Sequence, residues 1–172
     1  MDALTGKHRQ FFDSRVATDG GAFGAARNFM NAYRDAYGMS DREVNVVIGL
    51  HGAAASLAFD DAAWQRFRLG QSNDIVDAST KMPALKNPVL SPGALSSDAL
   101  LPALQARGAL ILLCNNSLIR ITRTLSAGGY GSVEALRDEL LRTYLLPGII
   151  VVPAMVVAAN RLQARGLSYV SS

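Results

Sequence analysis

Strands alternating with helices predict a three-layer α/β fold for this chain of 172 residues, a mainly parallel sheet of about four to five strands flanked by helices. Three observations carry that prediction. Short apolar runs at 44–50, 109–114 and 149–153 are nearly continuous in Val, Ile and Leu, as strands buried on both faces must be. Each run is followed by a stretch whose apolar residues recur at helical spacing. Finally, 49% hydrophobic and 18% charged residues suit one globular domain with a substantial core.

The elements follow in order. The start, MDALTGKHRQFFD, reads as a polar leader without the apolar core of a secretory signal. Phe23, Ala26, Met30, Tyr33 and Tyr37 then mark an amphipathic helix closed by Gly38. REVNVVIGL supplies the first clear strand, 44–50, ending at His51-Gly52, and helical spacing resumes as far as Gly70. From Gln71 to Gly93 the chain is polar and broken by prolines, a loop of the length usually given to function or mobility. Ser96 or Ser97 caps a helix that carries Pro102 early and stops at Gly108. A strand at 109–114, a helix at 116–126, the break AGGYG and the helix SVEALRDELLRTYL come next. The chain closes with a strand at 149–153, a helix at 155–165 and the short strand LSYV.

Composition excludes several classes. The net charge is only +3, and the basic residues are scattered without the concentrated face of a nucleic-acid binder. One cysteine allows neither an intrachain disulfide nor a multi-cysteine zinc site, and His8 and His51 are too far apart to suggest a metal pair. GGAFG near residue 20 lacks the preceding strand and the lysine of a phosphate loop, so no cofactor is expected. The apolar stretch 145–159 is interrupted by Pro147, Gly148 and Pro153 and is shorter than the ~20 residues of a membrane span.

The candidate site lies where strands give way to helices. Ligands of open α/β sheets bind at the carboxyl ends of strands, and Cys114 stands at one such end, in GALILLCNNSLIR. A thiol at a helix start is reactive when the helix end stabilises its thiolate; a free cysteine can equally be a small core residue. Asn115, Asn116 and Ser117 either cap the helix or donate to a bound group. His51 ends the neighbouring strand, either as a base toward the thiol or bonded within a turn that Gly52 permits. Asn87, before Pro88 in the long loop, is a lid element over the site or part of an ordinary turn.

GALILLCNNSLIR, VVIGLHGAA, the Asn87-Pro88 pair and LLPGIIVVPAMVVAANRLQARGLSYV, in this order, resemble the DsrE/DsrF-like family, the sulfur-relay fold of YchN- and TusD-type proteins. The resemblance spans roughly residues 43–170, giving a DsrE-like, flavodoxin-like α/β domain at 43–172, with 1–42 as a leader and helix packed on the same globular unit. It implies a sulfur carrier or sulfurtransferase-like protein, with Cys114 accepting sulfur as a persulfide, His51 assisting proton transfer, and Asn115, Asn116 and Ser117 stabilising the anion. It also implies a homo-oligomer (dimer, trimer or hexamer) and a sulfur donor or acceptor as partner; no nucleic acid and no membrane are expected, from the scattered charge and the broken apolar stretch. The alternative is a non-catalytic module for small-ligand binding or assembly, with a structural cysteine. Family members often read Pro-Ser-Gly where this chain has Pro153-Ala154-Met155. Residues 1–42 look like a subgroup of unassigned activity whose members often carry a twin-arginine leader. The chain as written reads as cytoplasmic, and as periplasmic if Met1 replaces such a leader.

Overall fold

Five parallel strands form one sheet in the order β4-β3-β2-β1-β5. They are β1 (His8–Ser14), β2 (Val44–Leu50), β3 (Leu110–Cys114), β4 (Ile149–Val152) and β5 (Ser168–Ser171). This computed structural model describes residues 4–17, 20–77 and 79–171. Among them no helix is long and apolar enough to cross a membrane.

The path of the chain explains the layers. From β1 to β4 each strand is added on the same side of its predecessor, so right-handed crossovers place their helices on one face. These are α1 (Gly21–Tyr37), α2 (Asp61–Phe67), α3 (Leu69–Ser72), α4 (Leu101–Ala106), α5 (Asn115–Ala127) and α6 (Val133–Glu139). The step from β4 to β5 runs back across the sheet and carries α7 (Met155–Gln163) over the opposite face. Two cores result. The larger gathers Ile48, Leu50, Ile111 and Leu113 with Trp64, Phe23 and Leu104; the smaller gathers Phe11, Val47, Leu112 and Cys114 with Met155, Ala158 and Leu162 of α7. Alternate residues of each strand feed alternate cores, so β3 is apolar apart from its final Cys114, and β2 is apolar apart from Asn45 near its start, which accepts the Gly6 N–H.

The residues expected to form a polar leader contain β1, which lies between β2 and β5 well inside the sheet. Its polar side chains disguise it, and the fold partners most of them. His8 stacks on Tyr33 with ring centroids 4.3 Å apart, Gln10 donates to the carbonyls of Phe11 and Ser168, and Asp13 meets His51 and Tyr169. The boundary expected at residue 42 therefore falls between two paired strands.

Other departures are local. After His51 the chain makes a 3₁₀ segment (Gly52–Ala58) before α2, so the expected helix to Gly70 is three short pieces. Trp64 anchors them: it is fully buried and its indole N–H donates to the carbonyl of Ser56. Ser96 caps only a single 3₁₀ turn (Ser97–Ala99), and α4 starts after Leu100 with Pro102 in its first turn. α6 continues into a wide π turn (Leu140–Tyr144). The expected closure of α1 is as read: Gly38 adopts φ +64° and its N–H bonds to the carbonyl of Arg34.

Candidate functional site

At the carboxyl edge of the sheet the strand register gathers three side chains on one face. Asp13 pairs with Gly49, and Leu50 with Leu113, so His51 and Cys114 occupy the next position of their neighbouring strands. His51 stays extended (φ −144°, ψ 179°), which carries strand alternation one residue past β2 and brings its side chain out on the α7 face with Val47 and Gly49. Gly49 leaves room there, since a Cβ at that position would come within 2.6 Å of Met155 Sδ and 2.7 Å of the Phe11 ring.

His51 engages Asp13. Its Nε2 lies 2.8 Å from Asp13 Oδ1, and the hydroxyl of Tyr169 donates to Asp13 Oδ2 at 2.7 Å. Asp13 is buried and Tyr169 is 42% exposed. The phenol is pushed above its ordinary range, first because it donates to the Asp13 carboxylate, then by burial and by that same negative charge. Asp13, His51 and Tyr169 line one wall of a pocket of about 200 Å³, and Met155, Val156, Ala159, Asn160 and Gln163 of α7 line the other. Strand order reverses at β1, with β2 on one side and the late strand β5 on the other, so the pocket stands where open α/β sheets place ligands.

Cys114 lies beneath this pocket's edge. It is 5% exposed, and its Sγ accepts the Met155 N–H at 3.4 Å. Cys114 ends β3 and is the N-cap residue of α5, as the sequence suggested, and its thiol also meets the start of α7, which Met155 opens. The three residues expected to stabilise an anion beside it are otherwise arranged. Asn115 Oδ1 accepts from Arg137, Ser117 Oγ accepts the Gly52 N–H at 3.0 Å and is buried, and Asn116 is exposed.

Gly52 has a structural duty. Its φ is +59°, and a Cβ would lie 2.6 Å from the Arg15 carbonyl, which accepts the N–H groups of Ala53 and Ala54. Asn87 is no lid: it is 1% exposed, its amide donates to the carbonyls of Leu57 and Phe59, and its Oδ1 accepts from Val89. The chain at Asn87 is thereby pinned to the 3₁₀ segment. Among the described residues no group of three or more His, Cys, Asp or Glu side chains could hold a metal ion.

Sequence reasoning found His51 and missed Asp13 and Tyr169. Asp13 ends a strand that was not recognised, and Tyr169 is 156 residues away from it. The signal that existed was the register itself, a polar residue at the carboxyl end of each of two adjacent strands.

Fold and site together define a three-layer α/β domain with a pocket at the carboxyl edge of its sheet, mostly apolar and carrying Asp13, His51 and Tyr169 on one wall. No protein-family model matches the chain, and no curated protein matches its sequence.

Proposed function

We propose that this protein binds a small hydrogen-bonding ligand in the pocket between β1, β5 and α7 and exchanges a proton with it through His51. The observation that supports this most is the Asp13–His51 pair, 2.8 Å apart on the pocket wall, with Tyr169 holding the second carboxylate oxygen. A carboxylate so placed fixes the orientation of the imidazole ring, leaving Nδ1 to face a ligand and exchange a proton with it. The test is a screen of small polar fragments by amide chemical-shift mapping. Compounds that shift Val156, Asn160 and Tyr169 in the native protein and lose that effect in Asp13→Asn and His51→Gln support the reading. Binders that map elsewhere, or that ignore both substitutions, overturn it.

A second reading is favoured by the contact between Cys114 Sγ and the first amide of α7. A helix N-terminus stabilises a thiolate, which suits the sulfur carrier implied by the DsrE/DsrF-like resemblance. The Cys114 thiolate would attack the outer sulfur of a donor persulfide, R–S–SH, forming Cys–S–SH and releasing RS⁻. Burial at 5% stands against this step, so it requires the start of α7 to move. Intact mass after incubation with a small persulfide decides it: gain of one sulfur on the native protein, absent in Cys114→Ser, supports the carrier, and no gain refutes it. Self-association belongs with the same reading, and the exposed Ile150, Val156 and Val157 are the residues we propose for the contact. Sedimentation of Val156→Asp against the native chain tests it.

A further inference from the structure

A second cavity, of about 220 Å³, opens on the other side of the His51–Gly52 turn. Gly52, Ala53 and Ser56 of the 3₁₀ segment, Leu69, Ser72 and Asn73 at α3, and Arg120, Ile121, Thr124 and Leu125 of α5 line it. The wall is largely aliphatic, and Leu69 and Leu125 belong to the main core. Arg120 is the charged residue of this lining.

Several arginines of the chain are held by a partner. Arg107 holds Asp41 and Asn31, Arg66 holds Glu139, Arg137 holds Asn115, and Arg27 lies 3.8 Å from Asp98. Among the described residues the guanidinium of Arg120 has no such partner. The polar neighbours do not compete for it as anions would. Ser72 donates its hydroxyl to the Arg68 carbonyl, Thr124 donates to the Arg120 carbonyl, and Asn73 donates one amide hydrogen to the Leu69 carbonyl at 2.7 Å. The donors left to the cavity are the five guanidinium N–H groups and the second amide hydrogen of Asn73.

We infer that this cavity is a binding site for a small organic anion, a monocarboxylate whose short aliphatic body lies against Leu69, Ile121 and Leu125 while its carboxylate pairs with Arg120. The planar guanidinium matches a carboxylate with two parallel hydrogen bonds. The size is consistent: the cavity, about 220 Å³, has room for a short-chain acid. The site is separate from the Asp13–His51–Tyr169 pocket and does not depend on its reading.

The experiment uses the whole chain, with isobutyrate as probe, isobutyramide as its neutral isostere and inorganic phosphate as the anion without an aliphatic body. Amide shifts are followed during titration of the native protein and of Arg120→Gln, a substitution at an exposed side chain. Expected are saturable shifts at Ala53, Asn73, Ile121 and Leu125 with isobutyrate, at least tenfold weaker binding of isobutyramide, and a similar loss in Arg120→Gln. Phosphate binding as tight as isobutyrate would refute the aliphatic contact. Equal binding of acid and amide, or shifts confined to Val156 and Tyr169, would overturn the site.

Discussion

Removing the Tyr169 hydroxyl isolates the contact that joins β5 to the candidate site. A hydrogen bond to a charged acceptor contributes about 1.5–3 kcal/mol. Tyr169 is 42% exposed, so water replaces part of the bond, and Tyr169→Phe should cost about 1 kcal/mol. Asp13→Ala removes a carboxylate that is only 7% exposed and strands both His51 and Tyr169. Loss of one member of a buried pair costs about 3–5 kcal/mol; rehydration of the half-exposed tyrosine and of His51 lowers this to about 2–3 kcal/mol. In the double variant the lost bond counts once, which gives a coupling of about 1 kcal/mol. For a chain of this size each kcal/mol shifts Tm by about 2–4 °C, so Tyr169→Phe melts about 2–4 °C low and Asp13→Ala about 4–12 °C low. Urea unfolding at neutral pH, followed through the buried Trp64, measures all four proteins. The sign with pH is also fixed. The folded phenol titrates above its unfolded value, so its contribution is complete below the unfolded value of about 10 and fades as pH rises through the higher folded one. Tyr169→Phe should lose that alkaline dependence. Additivity of the two substitutions within about 0.3 kcal/mol would refute the reasoning, because the contact would then carry no energy.

Three further outcomes follow from other contacts. Asn87→Ala, which removes three side-chain hydrogen bonds at a site 1% exposed, should destabilise by about 3 kcal/mol at about 1 kcal/mol per bond, read as the urea midpoint. Gly52→Ala meets both a positive φ and a carbonyl 2.6 Å from the new Cβ, so about 2–3 kcal/mol should be lost, with the amide signals of Ala53 and Ser117 displaced. Asp77 accepts from the backbone and hydroxyl groups of Ser79 and Thr80, chiefly the Ser79 hydroxyl, and these hold its carboxyl down to about 2. The bonds from Ser79 and Thr80 to the Asp77 carboxylate should therefore persist from neutral pH down past the usual carboxylate range and weaken only as pH falls toward 2, a course that carbon NMR of the Asp77 carboxyl would follow.

Legibility in the sequence followed apolar pattern. β2 and β3 were visible because both of their faces are buried, and α1 because its stripe ends at a glycine in the left-handed conformation. β1 was hidden because HRQFFDS contains only two apolar residues, and its right to a central position depends on Tyr33, Ser168, His51 and Tyr169, which are remote in the chain. The choice between a lid and a turn at Asn87 was hidden for a related reason: a loop asparagine looks solvent-facing until its amide is seen bonding the carbonyls of Leu57 and Phe59. His51 could be placed at the carboxyl edge from the end of β2. The direction of its ring, toward Asp13, depended on a strand that the pattern did not reveal.

The pairing of β1 with β5 also fixes a schedule for synthesis. Phe11 aligns with Tyr169 and Asp13 with Ser171, so one long edge of β1 finds its strand partner only after about 158 further residues have been made. At ribosomal speeds of about 5–20 residues per second that is roughly 8–30 s. Until then the nascent sheet ends in an open, hydrogen-bonding margin that carries an uncovered Phe11, the kind of edge on which strands of other chains assemble. Slowed translation beyond β4 should therefore lower the soluble yield of this protein more than slowed translation before β2.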